Sequence, residues 1–191
     1  WSITATDDTL GKEMLKDVKF ENCIDHTRVY FGGNLGNQYL IAFFPGVCNF
    51  ELFEMEVPFK ENPWSKNGKY YATDYEKFDS RKNYASETAG GYYACRLGII
   101  EKLKKLGIQG SVLALRFITA EDKYPLGVWV CREATRTSVN GGFIEFEDKK
   151  LAIEYLESFV KKKFGQNISE ILNISKVLNE INTQKRISEF F

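Results

Sequence analysis

Apolar positions fall along this chain in two rhythms, one near two residues and one near three and a half. "TRVYFGG" reads as a strand running into glycines, and "QYLIAFFPG" (38–46) after it is a continuous apolar run closed by Pro45 and Gly46. Such a run, bounded by turn residues, predicts a buried strand. "FELFEMEVP" (50–58) alternates imperfectly and ends on proline, which predicts a further strand and a hairpin with 38–44. "GSVLALRFI" (110–118) is another strand, and "PLGVWVCREATR" (125–136) opens as a proline-led one.

The longer rhythm is clearest in "SETAGGYYACRLGIIEKLKKLG" (86–107). Ala89, Tyr93, Leu97, Ile100, Leu103 and Leu106 form one helical stripe. Ser86 suits the N-cap, Glu87 the positive helix start, and Gly107 the C-cap after Lys104 and Lys105. Gly91, Ala94 and Gly98 form a second, small stripe, which invites close approach by another backbone or a ligand. Residues 148–165 predict an amphipathic helix and 168–183 one or two more. Residues 1–25 are mixed and polar, with a short helix in "GKEMLKDVKF". Residues 60–85 are polar, rich in tyrosine and without period, which reads as a long functional loop. The expected fold is α+β: a single mixed sheet packed by helices over residues 1–183, with C-terminal helices followed by a flexible tail, 184–191.

Hydrophobic residues make up 43% of the chain and aromatics 15%, so it is globular. Lys+Arg and Asp+Glu both number 26, which excludes a nonspecific cationic coat and leaves room for a local basic groove. Cys23, Cys48, Cys95 and Cys131 give no disulfide framework, and no apolar run reaches transmembrane length. A reducing, cytoplasmic setting follows, with no membrane partner. Cys23 and His26 are spaced like half a zinc site, but no second pair completes it. No metal site and no cofactor are assigned.

The chain ends in "QKRISEFF". Gln184, Ile187, Phe190 and Phe191 follow a glutamine–aliphatic–aromatic–aromatic pattern. In one 3₁₀ turn Ile187 and Phe190 eclipse and Phe191 stands beside them, as an apolar plug, with the Gln184 amide for a polar pocket. This resembles the box by which replication and repair proteins bind the sliding clamp, proliferating cell nuclear antigen (PCNA). The bland alternative makes the two phenylalanines core residues of a C-terminal helix.

Candidate chemistry lies in "REATR". On a strand Arg132 and Glu133 face opposite ways; on a helix Arg132 and Arg136 align four apart. Two arginines can fork onto phosphates, and Glu133 can serve as a base or a metal ligand. A structural Arg–Glu network is an equal reading. Glu87 stands where helix N–H groups attract phosphate, or merely complements the helix dipole. Trp64 and the aromatics through Tyr84, interleaved with lysines, can stack on unpaired bases or pack on one another. The expected site sets Arg132, Glu133 and Arg136 on the rim of a concave surface shared with the start of the 86–107 helix.

"FGGNLGNQYLIAFFPG", "FELFEMEVP", "SETAGGYYACRLGIIEKL" and "VLALRFITAEDKYPLGVWVCREATR" together resemble the archaeal Nre family of DNA-repair proteins. The likeness runs from about residue 25 to the end. It implies DNA repair in association with DNA and the sliding clamp through a C-terminal box. It also implies an N-terminal half with a zinc-finger-like element, which this chain lacks, so that Trp1 reads as a start inside a longer protein. The functional expectation is a clamp-recruited repair protein that processes damaged DNA as a nuclease or a glycosylase/lyase. The alternative is a non-catalytic adaptor between repair factors and the clamp. An unrelated metabolic enzyme with an accidental tail is a third reading.

Overall fold

The computed structural model describes residues 2–63, 65, 68–121 and 126–183. The elements run α1 (Ser2–Val18), β1 (Asn22–Cys23), β2 (Thr27–Asn34), β3 (Asn37–Phe44), β4 (Asn49–Glu56), β5 (Tyr71–Glu76), α2 (Ala89–Leu106), β6 (Ile108–Gln109), β7 (Ser111–Ile118), α3 (Trp129–Asn140), β8 (Phe143–Phe146), α4 (Lys149–Phe164), α5 (Ser169–Ile174) and α6 (Lys176–Thr183). A six-stranded mixed sheet has the order β5-β4-β7-β3-β2-β8, and β1 pairs with β6 in a two-stranded one. The α+β class with a mixed sheet is as expected.

Side-chain alternation builds two cores. Tyr39, Ile41, Phe43, Leu52, Val112 and Ala114 face α1, α2 and α3. Leu40, Ala42, Phe44, Phe53, Leu113 and Leu115 face α4, α5 and α6. Strands buried on both faces read as unbroken apolar runs, which is why 38–44 and 110–118 stood out. Leu97, Ile100, Leu113 and Leu115 are all buried, as the pattern required.

The expected hairpin between 38–44 and 50–58 does not form. β7 lies between β3 and β4, antiparallel to the first and parallel to the second. Doubly buried strands need neighbours on both edges, and the most apolar strand takes the centre. The turn at 45–48 therefore crosses the end of β7, where the Ser111 hydroxyl donates to the Val47 carbonyl at 3.0 Å.

The expected strand at 125–136 is also corrected. Residues 129–140 form α3, and its buried positions Val130, Cys131, Ala134, Thr135, Ser138 and Val139 follow helical spacing. Its β-branched residues disguised that rhythm. α1 spans seventeen residues rather than a short stretch after Gly11. Its buried stripe, Thr4, Asp7, Gly11, Leu15 and Val18, is mostly polar or small, so no apolar period announces it. The supposed loop 60–85 contains β5, an edge strand, and β8 was not anticipated at all.

α2 begins at Ala89 rather than beside Ser86, and Thr88 makes no side-chain cap. A strand supplies the cap instead. The buried Asp74 carboxylate on β5 accepts from the amides of Ser86 (3.0 Å), Glu87 (2.9 Å) and Thr88 (2.8 Å), and from the Thr88 hydroxyl (3.0 Å). Arg81 Nη2 adds a charge at 2.9 Å. Gly107 closes the other end in the left-handed region, as expected.

Burial pushes the Asp74 carboxyl up, but the amide donors and Arg81 outweigh it and hold it below its ordinary 3.8. A depressed folded-state value stabilises the fold above the unfolded value and ceases to do so as pH falls through the folded one. Asp74→Asn is expected to cost about 1–3 kcal/mol at neutral pH. That deficit should shrink as the pH drops below 3.8. Urea unfolding of both proteins across this range measures it, and a deficit that persists unchanged in acid would contradict the assignment.

Candidate functional site

Alternation on β5 sends Asp74 and Glu76 to the same face, against α2. Glu76 Oε2 accepts from the Tyr92 hydroxyl at 2.9 Å and from Arg96 Nη1 at 2.8 Å. Arg96 is 1% exposed, an unusual burial for a guanidinium. Its Nη2 donates to Asp8 Oδ1 of α1 at 2.6 Å and to the Asp8 carbonyl at 3.2 Å. The rings of Tyr92 and Tyr93 flank it, with centroids 5.9 and 5.4 Å away. Gly11 lets α1 come this close, since a Cβ there would sit 3.2 Å from Arg96 Nη2.

The row continues outward. Arg81 lies 5.0 Å over the Tyr92 ring and donates to the carbonyls of Tyr75, Asn83 and Tyr84. Tyr84 packs on Tyr93 with ring centroids 4.9 Å apart, and half of it is exposed. At Arg81 the row meets a groove of about 450 Å³, lined by Arg81, Lys82, Asn83 and Lys176 together with Asp74, Tyr75 and Glu87. Glu87 is engaged there: its Oε2 accepts from the Thr73 amide at 3.2 Å. The three amides at the approach to α2 already hold Asp74, so an internal carboxylate occupies the position that a phosphate would take.

A second polar centre lies under α2 between β4 and β7. Arg116 Nη1 donates to Glu54 Oε1 at 2.6 Å, and its Nε to Asn37 Oδ1 at 2.8 Å. Gly91 passes directly over this pair, and a Cβ there would fall 2.5 Å from Glu54 Oε1. Gly98 meets Thr135 and Gly90 meets Val128 in the same way. The small stripe of α2 thus admits α3 and an ion pair. Ala89, in the left-handed region at φ 39°, carries backbone strain where the helix begins.

Arg132, Glu133 and Arg136 lie on α3, so the two arginines align four apart. Arg136 forks Glu101 of α2 at 2.6 and 2.7 Å and also donates to Glu133 Oε1 at 2.7 Å. Arg132 Nη1 reaches Asp7 Oδ1 of α1 at 2.5 Å. The three residues come together as a bridge among α1, α2 and α3. They do not line the groove that Glu87 lines. Trp64, Gln184, Ile187, Phe190 and Phe191 fall outside the described residues.

Sequence reasoning missed Asp8, Asp74, Glu76 and Arg96. Asp74 and Glu76 stand two apart in a segment read as loop, and Tyr92 and Arg96 four apart on a helix already recognised; only the first signal was hidden. His26 and Cys23 are both exposed. Among the described residues no three His, Cys, Asp or Glu side chains converge as a metal site. No helix among them is long and apolar enough to cross a membrane.

Two family models match the chain: "Archaeal Nre, N-terminal" over residues 1–65 and "Archaeal Nre, C-terminal" over residues 76–190. The likeness therefore begins ahead of residue 25 and touches both regions of the family. The chain is 38% identical to DNA repair protein NreA of Haloferax volcanii over 148 residues, 77% of this chain and 35% of that protein. It is 30% identical to DNA repair protein NreB of Archaeoglobus fulgidus over 171 residues, 89% of this chain and 43% of that protein. With NreA of the latter organism the identity is 31% over 151 residues, 78% and 38% of the two chains. The chain thus spans between 35% and 43% of the length of these relatives. No solved structure matches it. With the C-terminal family model covering more than half of its length, the chain belongs to the archaeal Nre family.

Proposed function

We propose that this chain serves in DNA repair, contacts DNA through the groove beside α2, and is brought to its substrate by PCNA through residues 184–191. The relatives' names support the repair role. The groove is the observation that carries the DNA contact. Lys82 and Lys176 are exposed along it, and Tyr75 lines it with Lys176 Nζ 5.5 Å over its ring. Cations that follow a backbone and a ring on which a base can stack are the elements of sequence-tolerant single-strand binding. Trp64, in the same tyrosine-rich segment, adds a further ring to this reading.

Of the two forms of the reading, the non-catalytic adaptor is the better supported. Glu133 Oε1 is engaged by Arg136, and Arg132 by Asp7, so the candidate base and both candidate phosphate ligands serve a helix bridge. Nuclease or glycosylase/lyase action through Glu133 would have to use a carboxylate whose Oε1 already serves that bridge. Glu133→Ala is expected to lower stability by about 1 kcal/mol or less, the range of partly exposed ion pairs. It should leave the handling of abasic, oxidised and ultraviolet-damaged duplexes unchanged, with or without divalent metal. Cleavage by the parent protein that vanishes in the variant reinstates the catalytic form.

Replacing Lys82 and Lys176 together by alanine should weaken binding of a single-stranded oligonucleotide about tenfold. It should also make the salt dependence shallower, by a slope of about 0.7 for each phosphate no longer neutralised. Anisotropy titrations over a range of salt read both quantities. Equal affinity and slope in the two proteins would remove the groove from the DNA-binding surface.

Ile187, Phe190 and Phe191 offer about 5–8 kcal/mol of gross apolar burial, at roughly 2 kcal/mol per side chain. Ordering the segment offsets much of it, so a peptide of residues 182–191 is expected to bind the clamp with affinity on the order of micromolar. Phe190→Ala with Phe191→Ala should abolish the calorimetric signal and leave the unfolding of the rest unchanged. Undiminished clamp binding by the double variant, or its unfolding, defeats the clamp-box reading.

A further inference from the structure

We propose that the first two turns of α1 form an acidic strap seated on a phosphate-recognition surface, and that the phosphodiester backbone of single-stranded DNA displaces it. The idea rests on the DNA-binding reading above and adds a second, covered part to that surface. Asp7 and Asp8 are consecutive, yet each holds an arginine of a different helix. Asp7 reaches Arg132 of α3 at 2.5 Å, and Asp8 reaches Arg96 of α2 at 2.6 Å. Two anionic groups one residue apart, gripping two guanidinium groups, present what successive phosphates present.

The strap is weakly built. Over its first eleven residues the buried positions are Thr4, Asp7 and Gly11, and apolar burial begins only at Leu15 and Val18. Gly11 costs the helix interior about 1 kcal/mol relative to alanine. The Thr6 and Thr9 hydroxyls bond back to the carbonyls of Ser2 and Ala5, an arrangement that slightly weakens a helix. The second half is anchored by Leu15, Val18 and the Asp17–Lys104 pair at 2.7 Å. Gly11 therefore marks the place where the first two turns can part from the rest.

The seat fits its present occupant imperfectly. Asp7 is fully buried, and its Oδ2 lacks a hydrogen-bond partner. Arg96 Nε, in a side chain 1% exposed, also lacks one. A ligand oxygen would meet the Arg96 donor, and Asp7 Oδ2, short of a donor where it lies, gains one from water on leaving, so exchange relieves both costs.

The row that the strap covers meets the groove at Arg81. Arg81 lies over Tyr92, Arg96 lies beside Tyr92 and Tyr93, and Tyr84 packs on Tyr93. Withdrawing Asp7 and Asp8 removes two negative charges and frees Arg96 of this row and Arg132 of α3. Glu76 remains on Arg96 and keeps it in place. The lengthened surface then alternates cations with rings, as single-strand binding requires.

Hydrogen exchange of the whole chain, with and without a deoxythymidine oligonucleotide of about 15 nucleotides, tests this on the unaltered protein. Exchange in residues 2–11 is expected to rise on the order of threefold or more at saturation, while residues 12–18 stay protected. Pyrophosphate at equal phosphate concentration should produce no such rise; if it does, the seat takes free phosphate and the backbone assignment falls. Asp7→Asn with Asp8→Asn should bind the oligonucleotide about tenfold more tightly, and adding Arg132→Gln should reverse the gain. Oligonucleotide bound with residues 2–11 still protected overturns the strap and leaves the groove's DNA binding standing. No binding by either the unaltered protein or the double variant overturns both.

Discussion

A guanidinium cannot be taken out of water alone, and the α1–α2–β5 side of this molecule is arranged around that fact. Arg96 is buried in a helix whose other inward residues are apolar, and desolvating its charge costs several kcal/mol unless partners repay it. The partners come from opposite directions in the sequence. Glu76 arrives from an edge strand, Asp8 from the first helix, and Tyr92 and Tyr93 supply their ring faces. The charge adds its own constraint to the apolar packing of Leu15, Phe50 and Ile99 near it, and holds these elements in register.

β5 shows how much one short strand can do under that constraint. Asp74 caps α2, and Glu76, two residues on, binds Arg96. The outer edge of the same strand is occupied by side chains. Glu87 accepts from the Thr73 amide, and Arg81 donates to the Tyr75 carbonyl. Filling edge positions with charged side chains guards an exposed strand against pairing with other chains. Here the same residues line the groove, so the device that protects the sheet also shapes the candidate site.

The sequence made visible what depends on local rhythm. α2, α4, β3 and β7 stood out because burial is periodic or complete along them. The order of the strands did not, since β7 enters between β3 and β4 from more than sixty residues away. α3 hid behind β-branched residues, and α1 behind a buried stripe of threonine, aspartate and glycine. In the candidate site, the alignment of Arg132 with Arg136 was legible as a helical spacing. Their partners were not: Glu101 lies 35 residues from Arg136 and Asp7 lies 125 from Arg132, and only the packing of three helices brings them together.

The same pairing limits how this chain can meet a polyanion. Every arginine among the described residues, Arg28, Arg81, Arg96, Arg116, Arg132 and Arg136, already faces a carboxylate. With cationic and anionic side chains equal in number, no general field draws nucleic acid in. Affinity must come from lysines that stand without a carboxylate nearby, or from an internal carboxylate giving up its arginine. The first source is always open and sequence-blind. The second is conditional, because a strand of DNA must outcompete a tethered aspartate whose effective concentration is high. On the proposed reading, a chain that holds its arginines this way binds weakly until enough phosphates arrive together, which is the discrimination that delivery to DNA by a clamp would call for.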